Sequence, residues 1–218
     1  MEAPTENKPR WERRKDARPQ ELLAAALDLF VERGFAATRL EDVARRAGVS
    51  KGTLYLYFTN KEELFKAMVR ETIVPVLGEA EQSIAAFDGS SGDLLRAILR
   101  SWWQRYGCTK LAGVTKLMMA EAGNFPELNR FYNEEVIDRA NAMIARILER
   151  GMACGEFRSV DTELMTLILT APMVMLMMWT HGLHPCKSGP LDPQLFLDAF
   201  IEQSVRGLRA DAPPVLPT

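Results

Sequence analysis

A short run of cationic, hydroxyl-bearing and aromatic side chains follows the tight connection Gly48-Val49-Ser50. Ser50 can cap the helix that begins after it, and Leu54 and Phe58 lie four residues apart on one face of that helix. The other face carries one ammonium, one hydroxyl and two phenols, on Lys51, Thr53, Tyr55 and Tyr57. Groups of this kind on a short helix can contact phosphates and base edges in the major groove of DNA. Each of these residues alone would equally suit a packed or a solvated surface. The surrounding elements must therefore show whether the run belongs to a DNA-binding motif.

The elements around this run predict a helix-turn-helix. Pro19 is a favoured first helical residue, and apolar residues recur after it at intervals of three or four until Gly34. Thr38 stands three residues before Glu41, the spacing of a capping box, so a second helix of about two turns is predicted to begin there. Only three residues then separate this helix from the third, which is predicted over 51–57. A connection this short requires a sharp corner between the two helices.

Two further signals accompany the predicted third helix. Gly52 lies in its first turn, where glycine destabilises a helix by about 1 kcal/mol relative to alanine. This glycine is explained if another molecule, such as a DNA backbone, approaches closely there. Asn60 and Glu63 form a second capping box, which opens a fourth, amphipathic helix that Pro75 is predicted to kink or end.

Helical periodicity continues through the rest of the chain, interrupted by turn residues. It predicts five further helices, at about 94–106, 110–122, 126–150, 161–181 and 192–208. No run alternates with a period of two between turn signals, as strands require. The sequence therefore predicts an all-α fold of about nine helices, with an N-terminal helix-turn-helix head and a larger C-terminal helical body.

The stretch GVSKGTLYLYFTNKEELF at 48–65, preceded by AATRLEDVARRA at 36–47, closely resembles the TetR family of bacterial repressors. The resemblance covers about residues 19–66 and is specific, because the caps, the turn glycine and the KGTLYxYF core all agree. It implies that the start of helix two touches phosphate or a base edge and that the start of helix three enters the groove. The DNA-contacting residues that it implies are Thr38, Arg39, Ser50, Lys51, Gly52, Thr53, Tyr55, Tyr57 and, on phosphate, Lys61.

Charge, helical periodicity and the family resemblance together divide the chain into four predicted segments. Residues 1–18 are expected to form a flexible basic arm, because residues 8–18 carry six Lys or Arg against two Asp or Glu. The helix-turn-helix domain covers 19–66, an effector-binding and dimerisation body covers 67–210, and residues 211–218 are expected to be a disordered tail. The arm could contact DNA, although a solvated tail without a partner explains the same charge.

A double-stranded DNA operator is the expected partner, but a single helix-turn-helix contacts too little DNA for tight specific binding. Such proteins pair over two half-sites, so a homodimer surface is expected. The resemblance implies that the last two helices, 161–181 and 192–208, form a four-helix bundle with those of a second copy. Ordinary core packing would also explain the apolar faces of these helices.

The central helices of the body are rich in aromatic and methionine side chains, which suit an apolar pocket with adaptable walls. A small apolar effector is therefore expected, although core packing explains each of these residues by itself. Arg105 and Glu121 would orient a charged ligand if they were buried. The predicted ligand-binding residues are Trp102, Trp103, Tyr106, Met118, Glu121, Phe125, Phe131, Tyr132 and Met175.

Other classes of site are not indicated. The chain has no P-loop, no HExxH and no Ser or Cys joined to a positioned base, so neither catalysis nor a cofactor is predicted. His181, His184 and Cys186 lie within six residues, but a loop without a nearby carboxylate is weak support for a metal site, and none is predicted. The three cysteines are expected to be reduced and buried.

The apolar run Leu164–Trp179 falls short of a membrane span and is broken by Pro172, so it is predicted to be a buried helix. The N-terminus lacks the apolar core of a secretion signal. A cytoplasmic protein without membrane contact is therefore expected.

These features together predict a DNA-binding transcription regulator. The leading hypothesis is a homodimeric repressor that binds a palindromic operator. A small apolar ligand would release it from the DNA by moving helix four and shifting the two recognition helices out of register with the operator. One alternative is a regulator without a small-molecule effector, controlled by a protein partner or constitutive. A further alternative is an enzyme or carrier protein that carries the helix-turn-helix head as an additional domain.

Overall fold

The computed structural model describes residues 18–182 and 192–210 of the 218-residue chain. The predicted arm up to residue 17, the predicted tail, and the residues His184 and Cys186 lie outside this described part. Contacts between Cα atoms divide the chain into two compact units, the first ending at Glu71 and the second beginning at Thr72. Each unit has its own helices and its own buried side chains.

The first unit is built from four helices, which are α1 (Arg18–Arg33), α2 (Leu40–Arg46), α3 (Lys51–Tyr55) and α4 (Lys61–Thr72). Its core contains three phenylalanine rings, Phe30, Phe35 and Phe65, whose centroids lie 5.4 to 5.7 Å apart. All three side chains are buried. Stacked and edge-to-face rings at this spacing add to the stabilisation that burial alone provides. This aromatic cluster joins α1, the loop after it and α4 in the core of the unit.

The second unit is also helical. Within the described residues its α-helices are α5 (Val74–Ala85), α6 (Ser91–Trp102), α7 (Ala112–Glu121), α8 (Pro126–Tyr132), α9 (Asp138–Ala153), α10 (Thr162–Thr180) and α11 (Pro193–Leu208). α6 continues into a π-helical turn, Trp103–Gly107, and a second π-helical turn, Asn133–Ile137, joins α8 to α9. α6 and α10 both pack against α9, and α11 packs against α6 and α10.

The predicted all-α class is confirmed. No strand occurs in residues 18–182 or 192–210, where the one β-type pairing is a single antiparallel bridge between Phe157 and Arg209. The eleven α-helices of this part form about nine runs, because only Ile73 separates α4 from α5 and a π turn joins α8 to α9.

Two predicted helix boundaries differ from the structure. α2 begins at Leu40 with Arg39 as its N-cap, so the capping box predicted from Thr38 and Glu41 is wrong. α4 ends at Thr72, close to Pro75, as predicted, but Pro75 also lies in the first turn of a further helix, α5, which begins at Val74 and which the periodicity did not reveal. Proline is tolerated at that position because the first amides of a helix have no intrahelical acceptor to lose.

Cys108 and Cys154 are exposed, which corrects the expectation that the cysteines are buried. Cys108 directly follows the first π turn and Cys154 directly follows α9. Both residues therefore stand where the chain leaves a helix at the surface, rather than on an inward helical face.

α10 is long and apolar enough to cross a membrane by length and composition, and it is the one such helix among the described residues. Only 28% of its apolar window is buried, so the prediction of a buried helix is wrong for the single chain. The residues that remain 43 to 57% exposed are Leu164, Leu167, Ile168 and Met175. Their spacings of three, four and seven place them on one helix face, so α10 has a buried side and an uncovered apolar side.

Gly151 allows α9 to approach the ring of Phe157 closely. A Cβ atom built on Gly151 would lie 2.1 Å from Phe157 Cδ2, far inside van der Waals contact. Phe157 is buried, its backbone N–H donates to Gly151 O at 3.0 Å, and it forms the bridge to Arg209. Any side chain at position 151 must therefore displace the ring of a buried residue whose backbone is held at two points.

Gly151→Ala is expected to destabilise the protein by about 1–3 kcal/mol, because overpacking outweighs the roughly 1 kcal/mol by which alanine favours a helix over glycine. Gly78→Ala in α5 is the matched control and should stabilise the protein, since a Cβ atom there meets no atom within 4 Å. Urea unfolding measures both changes. Shifts of the same sign and size would contradict this account of the packing.

Candidate DNA-binding surface and internal cavity

α3 is positioned by a glycine turn, a side-chain cap and two buried residues. Gly48 has a φ of +69°, in the left-handed region that favours glycine. The Ser50 side chain accepts a hydrogen bond from the Thr53 backbone N–H at 3.0 Å, so the predicted cap is confirmed. Leu54 and Phe58 are buried, as predicted from their spacing. The turn and the anchored face together fix which side of α3 remains outside.

The outer side of α3 is partly aromatic and partly aliphatic. Tyr55 and Tyr57 are 42% and 40% exposed, and Leu56 between them is 84% exposed. Gly52 is also exposed, and a Cβ atom built on it would meet only Ser50 Oγ, at 3.8 Å. The fold itself therefore does not require glycine at this position. Sequence reasoning missed Leu56, because a leucine in a helix is normally assigned to the core.

Lys51 is ion-paired at the start of α3. Its Nζ lies 2.6 Å from Glu41 Oε1 and 5.6 Å from the centroid of the Tyr55 ring. The hydrogen bond to Lys51 lowers the pKa of Glu41, and the same bond raises the pKa of Lys51, so both groups are charged at neutral pH. The Glu41 carboxylate therefore competes with any phosphate for this ammonium.

Thr38 is a buried residue, which corrects its implied contact with phosphate or a base edge. It is 1% exposed, and its Oγ1 lies 2.7 Å from Gly34 O and 3.1 Å from Leu29 O. The hydroxyl donates to these carbonyl groups at the end of α1. Thr38 consequently fastens the connection between α1 and α2, while the neighbouring Arg39 is exposed.

Lys61 is held at the start of α4 by backbone carbonyl groups. Its Nζ donates to Phe35 O at 2.7 Å and to Ala36 O at 3.1 Å, and it lies 4.5 Å from the centroid of the Phe35 ring. Asn60 Oδ1 accepts from the Glu63 backbone N–H at 2.8 Å, which confirms Asn60 as the cap. The ammonium of Lys61 thus fixes the loop after α1, and its contact with phosphate stays a prediction.

The second unit contains a cavity of about 240 Å³ with a mostly aliphatic and aromatic wall. Lining residues that sequence reasoning missed include Ile73, Leu77, Ile98, Ile144, Met173 and Met177. Among the described residues of the wall only Arg105 is charged, and its guanidinium pairs with the Glu79 carboxylate. Such a wall suits a hydrocarbon far better than a charged molecule.

Three hydroxyl groups form a closed triangle at the wall of this cavity. Tyr106 Oη lies 2.6 Å from Thr115 Oγ1 and 2.9 Å from Tyr132 Oη, and the third side, between Thr115 and Tyr132, measures 2.8 Å. All three residues line the cavity. Burial raises the pKa of Tyr106 and of Tyr132, so both phenols keep their protons at neutral pH. The hydroxyl triangle is therefore a fully paired polar patch in a mostly apolar wall.

Comparison with known proteins assigns the family. Residues 22–68 match the family model described as bacterial regulatory proteins, tetR family, and residues 88–187 match a tetracyclin repressor-like C-terminal domain. An uncharacterized HTH-type transcriptional regulator, YfiR of Bacillus subtilis (strain 168), is 32% identical over 67% of this chain and 71% of its own length. The chain belongs to the TetR family. It is a DNA-binding transcription regulator and not an enzyme.

Two further proteins are similar to this TetR-family regulator. The fatty acid metabolism regulator protein of Bacillus subtilis (strain 168) is 28% identical over 66% of this chain and 74% of its own length. The structure of FadR from Bacillus subtilis in complex with stearoyl-CoA has a TM-score of 0.73 at 22% identity, covering 87% of this chain and 99% of that chain. The second likeness supports the fold of both units.

Three of the nine predicted ligand-binding residues of this TetR-family protein line the cavity, namely Trp102, Tyr106 and Tyr132. The six that do not line it are Trp103, Met118, Glu121, Phe125, Phe131 and Met175. Met175 is 43% exposed on the outer face of α10, whereas Met173 and Met177 on the opposite side line the cavity. Ligand contact by the three residues of the wall stays a prediction.

Thr38→Val should lower the free energy of unfolding by about 1–3 kcal/mol, because the carbonyl groups at the end of α1 lose their donor. Since Thr38 is buried, DNA affinity should fall only as far as the folded fraction falls. Urea unfolding and DNA binding, measured on the same samples, separate the two effects, and Thr38→Ser is the control that keeps the hydroxyl. Weaker DNA binding at unchanged stability would show that Thr38 acts on DNA after all.

Proposed function

We propose that this TetR-family regulator is a homodimeric repressor that binds a palindromic operator and releases it when a small, mostly apolar ligand occupies the cavity. The observation that carries this proposal is the cavity of about 240 Å³, whose lining residues all belong to the second unit. Unfilled apolar space destabilises a protein. A regulator that only bound DNA would therefore gain by filling this space with larger side chains.

The proposed DNA contacts are the exposed start of α2 and the outer side of α3. They are Arg39, Ser50, Lys51, Gly52, Thr53, Tyr55 and Tyr57, and we add Leu56 because its side chain is exposed. The cations contribute counterion release on phosphate, and the hydroxyl groups supply hydrogen bonds to the backbone or to base edges. The exposed Leu56 offers an apolar surface of the kind that contacts thymine methyl groups.

A second copy of the chain is the partner proposed for the uncovered faces of α10 and α11. Leu195 of α11 is 71% exposed, and Leu167 and Ile168 of α10 are 54% and 50% exposed. The two helices pack against each other, so their apolar side chains can contribute to one interface. Two-fold pairing is what a palindromic operator requires, because each half-site is read by one copy. We propose that this pairing and the regulation take place in the cytoplasm.

The ligand proposed for the cavity is compact and contains a hydrocarbon part. Pockets for drug-sized ligands usually measure roughly 300–1,000 Å³, so a cavity of about 240 Å³ suits a smaller molecule. A relative is named as a regulator of fatty acid metabolism, and the FadR structure holds stearoyl-CoA. These proteins support the proposal that the same fold combines DNA binding with recognition of a hydrocarbon chain.

Fluorescence anisotropy of labelled DNA from upstream of the protein's own gene tests the proposal. Saturable, salt-sensitive binding is expected, and small apolar compounds should reverse it. Ala140→Phe, which fills the cavity from α9, should bind the same DNA but resist release. If no apolar compound releases the DNA, the regulator is one without a small-molecule effector, controlled by a protein partner or constitutive. If no nearby palindrome is bound, the proposed operator is wrong.

Glu41→Gln should strengthen DNA binding, because it removes the carboxylate that competes with phosphate for Lys51. The expected result is a several-fold higher affinity at low salt and a salt dependence that is steeper by about one unit, as one added phosphate contact produces. Anisotropy titrations across a series of salt concentrations measure both quantities.

Glu32→Gln is the matched control for this change of charge. Glu32 pairs with Arg46 in another exposed ion pair of the first unit, so the control removes the same charge without freeing Lys51. A general effect of net charge would raise affinity in both variants. Equal salt slopes in the two variants would rule out Lys51 as the group that Glu41 holds back.

A further inference from the structure

The hydroxyl triangle has no hydrogen-bond donor to spare. Three hydroxyl groups have three hydrogens, and the three sides of the triangle, 2.6 to 2.9 Å long, use all of them. The three oxygens have six lone pairs, and the triangle uses only half of these. Thr115 and Tyr132 therefore keep acceptor positions, whereas no donor remains.

A ligand that only accepts hydrogen bonds would have to open one side of the triangle. Two oxygens less than 3 Å apart would then face each other without a proton between them. The three residues are only 2 to 8% exposed, so solvent cannot compensate for the lost bond. Accepting groups such as ethers, esters and carboxylates are therefore disfavoured at the triangle.

Charged head groups do not match the wall either. Among its described residues there is no Asp or Glu to balance an ammonium ion. The guanidinium of Arg105 is already paired with Glu79, at an exposed position. Burying an ion without a partner is far more unfavourable than burying a neutral group that makes a hydrogen bond.

Both tyrosines of the triangle lie at π-helical turns. Tyr106 lies within the turn Trp103–Gly107, and Tyr132 directly precedes the turn Asn133–Ile137. Such turns are rare inside helices and often occur at functional sites, because the extra residue changes the direction of the neighbouring side chains. Their presence at both tyrosines supports a role for the triangle beyond packing.

We propose that the hydroxyl triangle selects a neutral ligand whose polar group donates a hydrogen bond, that is, an alcohol, over ethers, esters and carboxylates of the same size. The alcohol donates to the free acceptor position of Thr115 or Tyr132, while its hydrocarbon part lies against the aliphatic wall. This inference rests on the proposed function, because it takes the cavity as the effector site.

Isothermal titration calorimetry on the full-length protein, near neutral pH, tests the selectivity with three probes. They are 1-octanol, its isomer 1-methoxyheptane, and octanoate. 1-Octanol is expected to bind at least about tenfold more tightly than 1-methoxyheptane, because at the triangle the ether oxygen would meet acceptors only. Octanoate is expected to bind more weakly than 1-octanol for the same reason.

Thr115→Val should reduce this preference. The remaining hydrogen bond between Tyr106 and Tyr132 uses one of two phenolic hydrogens, so one donor becomes available for an ether. The preference for 1-octanol should then fall to about twofold or less. Thr170→Val is the matched control, because Thr170 also lines the cavity but donates to Thr166 O of its own helix at 2.9 Å. If thermal unfolding shows that Thr115→Val is not folded, Tyr106→Phe replaces it, since it also frees one hydrogen.

Equal binding of the alcohol and the ether, tighter binding of octanoate, or no binding of any probe would overturn the inference. An unchanged preference in Thr115→Val would also overturn it. DNA release by the same probes, followed by anisotropy, tests the proposed function separately. Release by alcohol and ether at equal concentrations would leave that function intact and refute the selectivity. Selective binding without any release would support the selectivity and refute the proposed control of DNA binding.

Discussion

The anchoring of α3 from its buried side is the interaction on which the DNA-binding surface depends. A helix of five residues is not stable by itself, because so few hydrogen bonds do not offset the entropy of nucleation. Leu54 and Phe58 are buried in the first unit, and the Thr38 hydroxyl and the Lys61 ammonium hold the carbonyl groups of Gly34 and Phe35 in the loop after α1. Because the buried side of α3 holds the helix in place, the residues on its outer side are available to bind DNA.

The second unit meets a different constraint, since its cavity combines an apolar wall with buried polar atoms. A buried hydroxyl group without a partner is destabilising, so Tyr106, Thr115 and Tyr132 bond to one another. This pairing determines what the triangle can offer to a ligand, because all three hydroxyl hydrogens are used. In the second unit the same hydroxyl groups therefore serve both stability and the proposed recognition of a ligand. In the first unit the two tasks are separate, because one side of α3 is buried and the other side is exposed for binding.

Features that depend on residues close together in the sequence could be predicted, whereas contacts between residues far apart in the sequence could not. The caps Ser50 and Asn60 were predictable, because each bonds a backbone group three residues ahead. The partners of Lys61 lie about 26 residues away, so nothing near it indicates that its ammonium holds a loop. Helical periodicity also identified the all-α class. It did not identify the cavity wall, because periodicity separates inward from outward faces but does not show which inward residues meet empty space.

α10 shows why composition alone could not assign that helix. Its length and apolar content fit a membrane span, a core helix and an interface helix equally well. In the structure the two sides of α10 have different surroundings. Met173 and Met177 line the cavity, whereas Leu167, which also lines it, remains 54% exposed. One helix therefore contacts the proposed ligand on one side and offers the proposed dimer surface on the other. A ligand that shifts or rotates α10 changes both surfaces together, because tightly packed helices move as units rather than deforming locally.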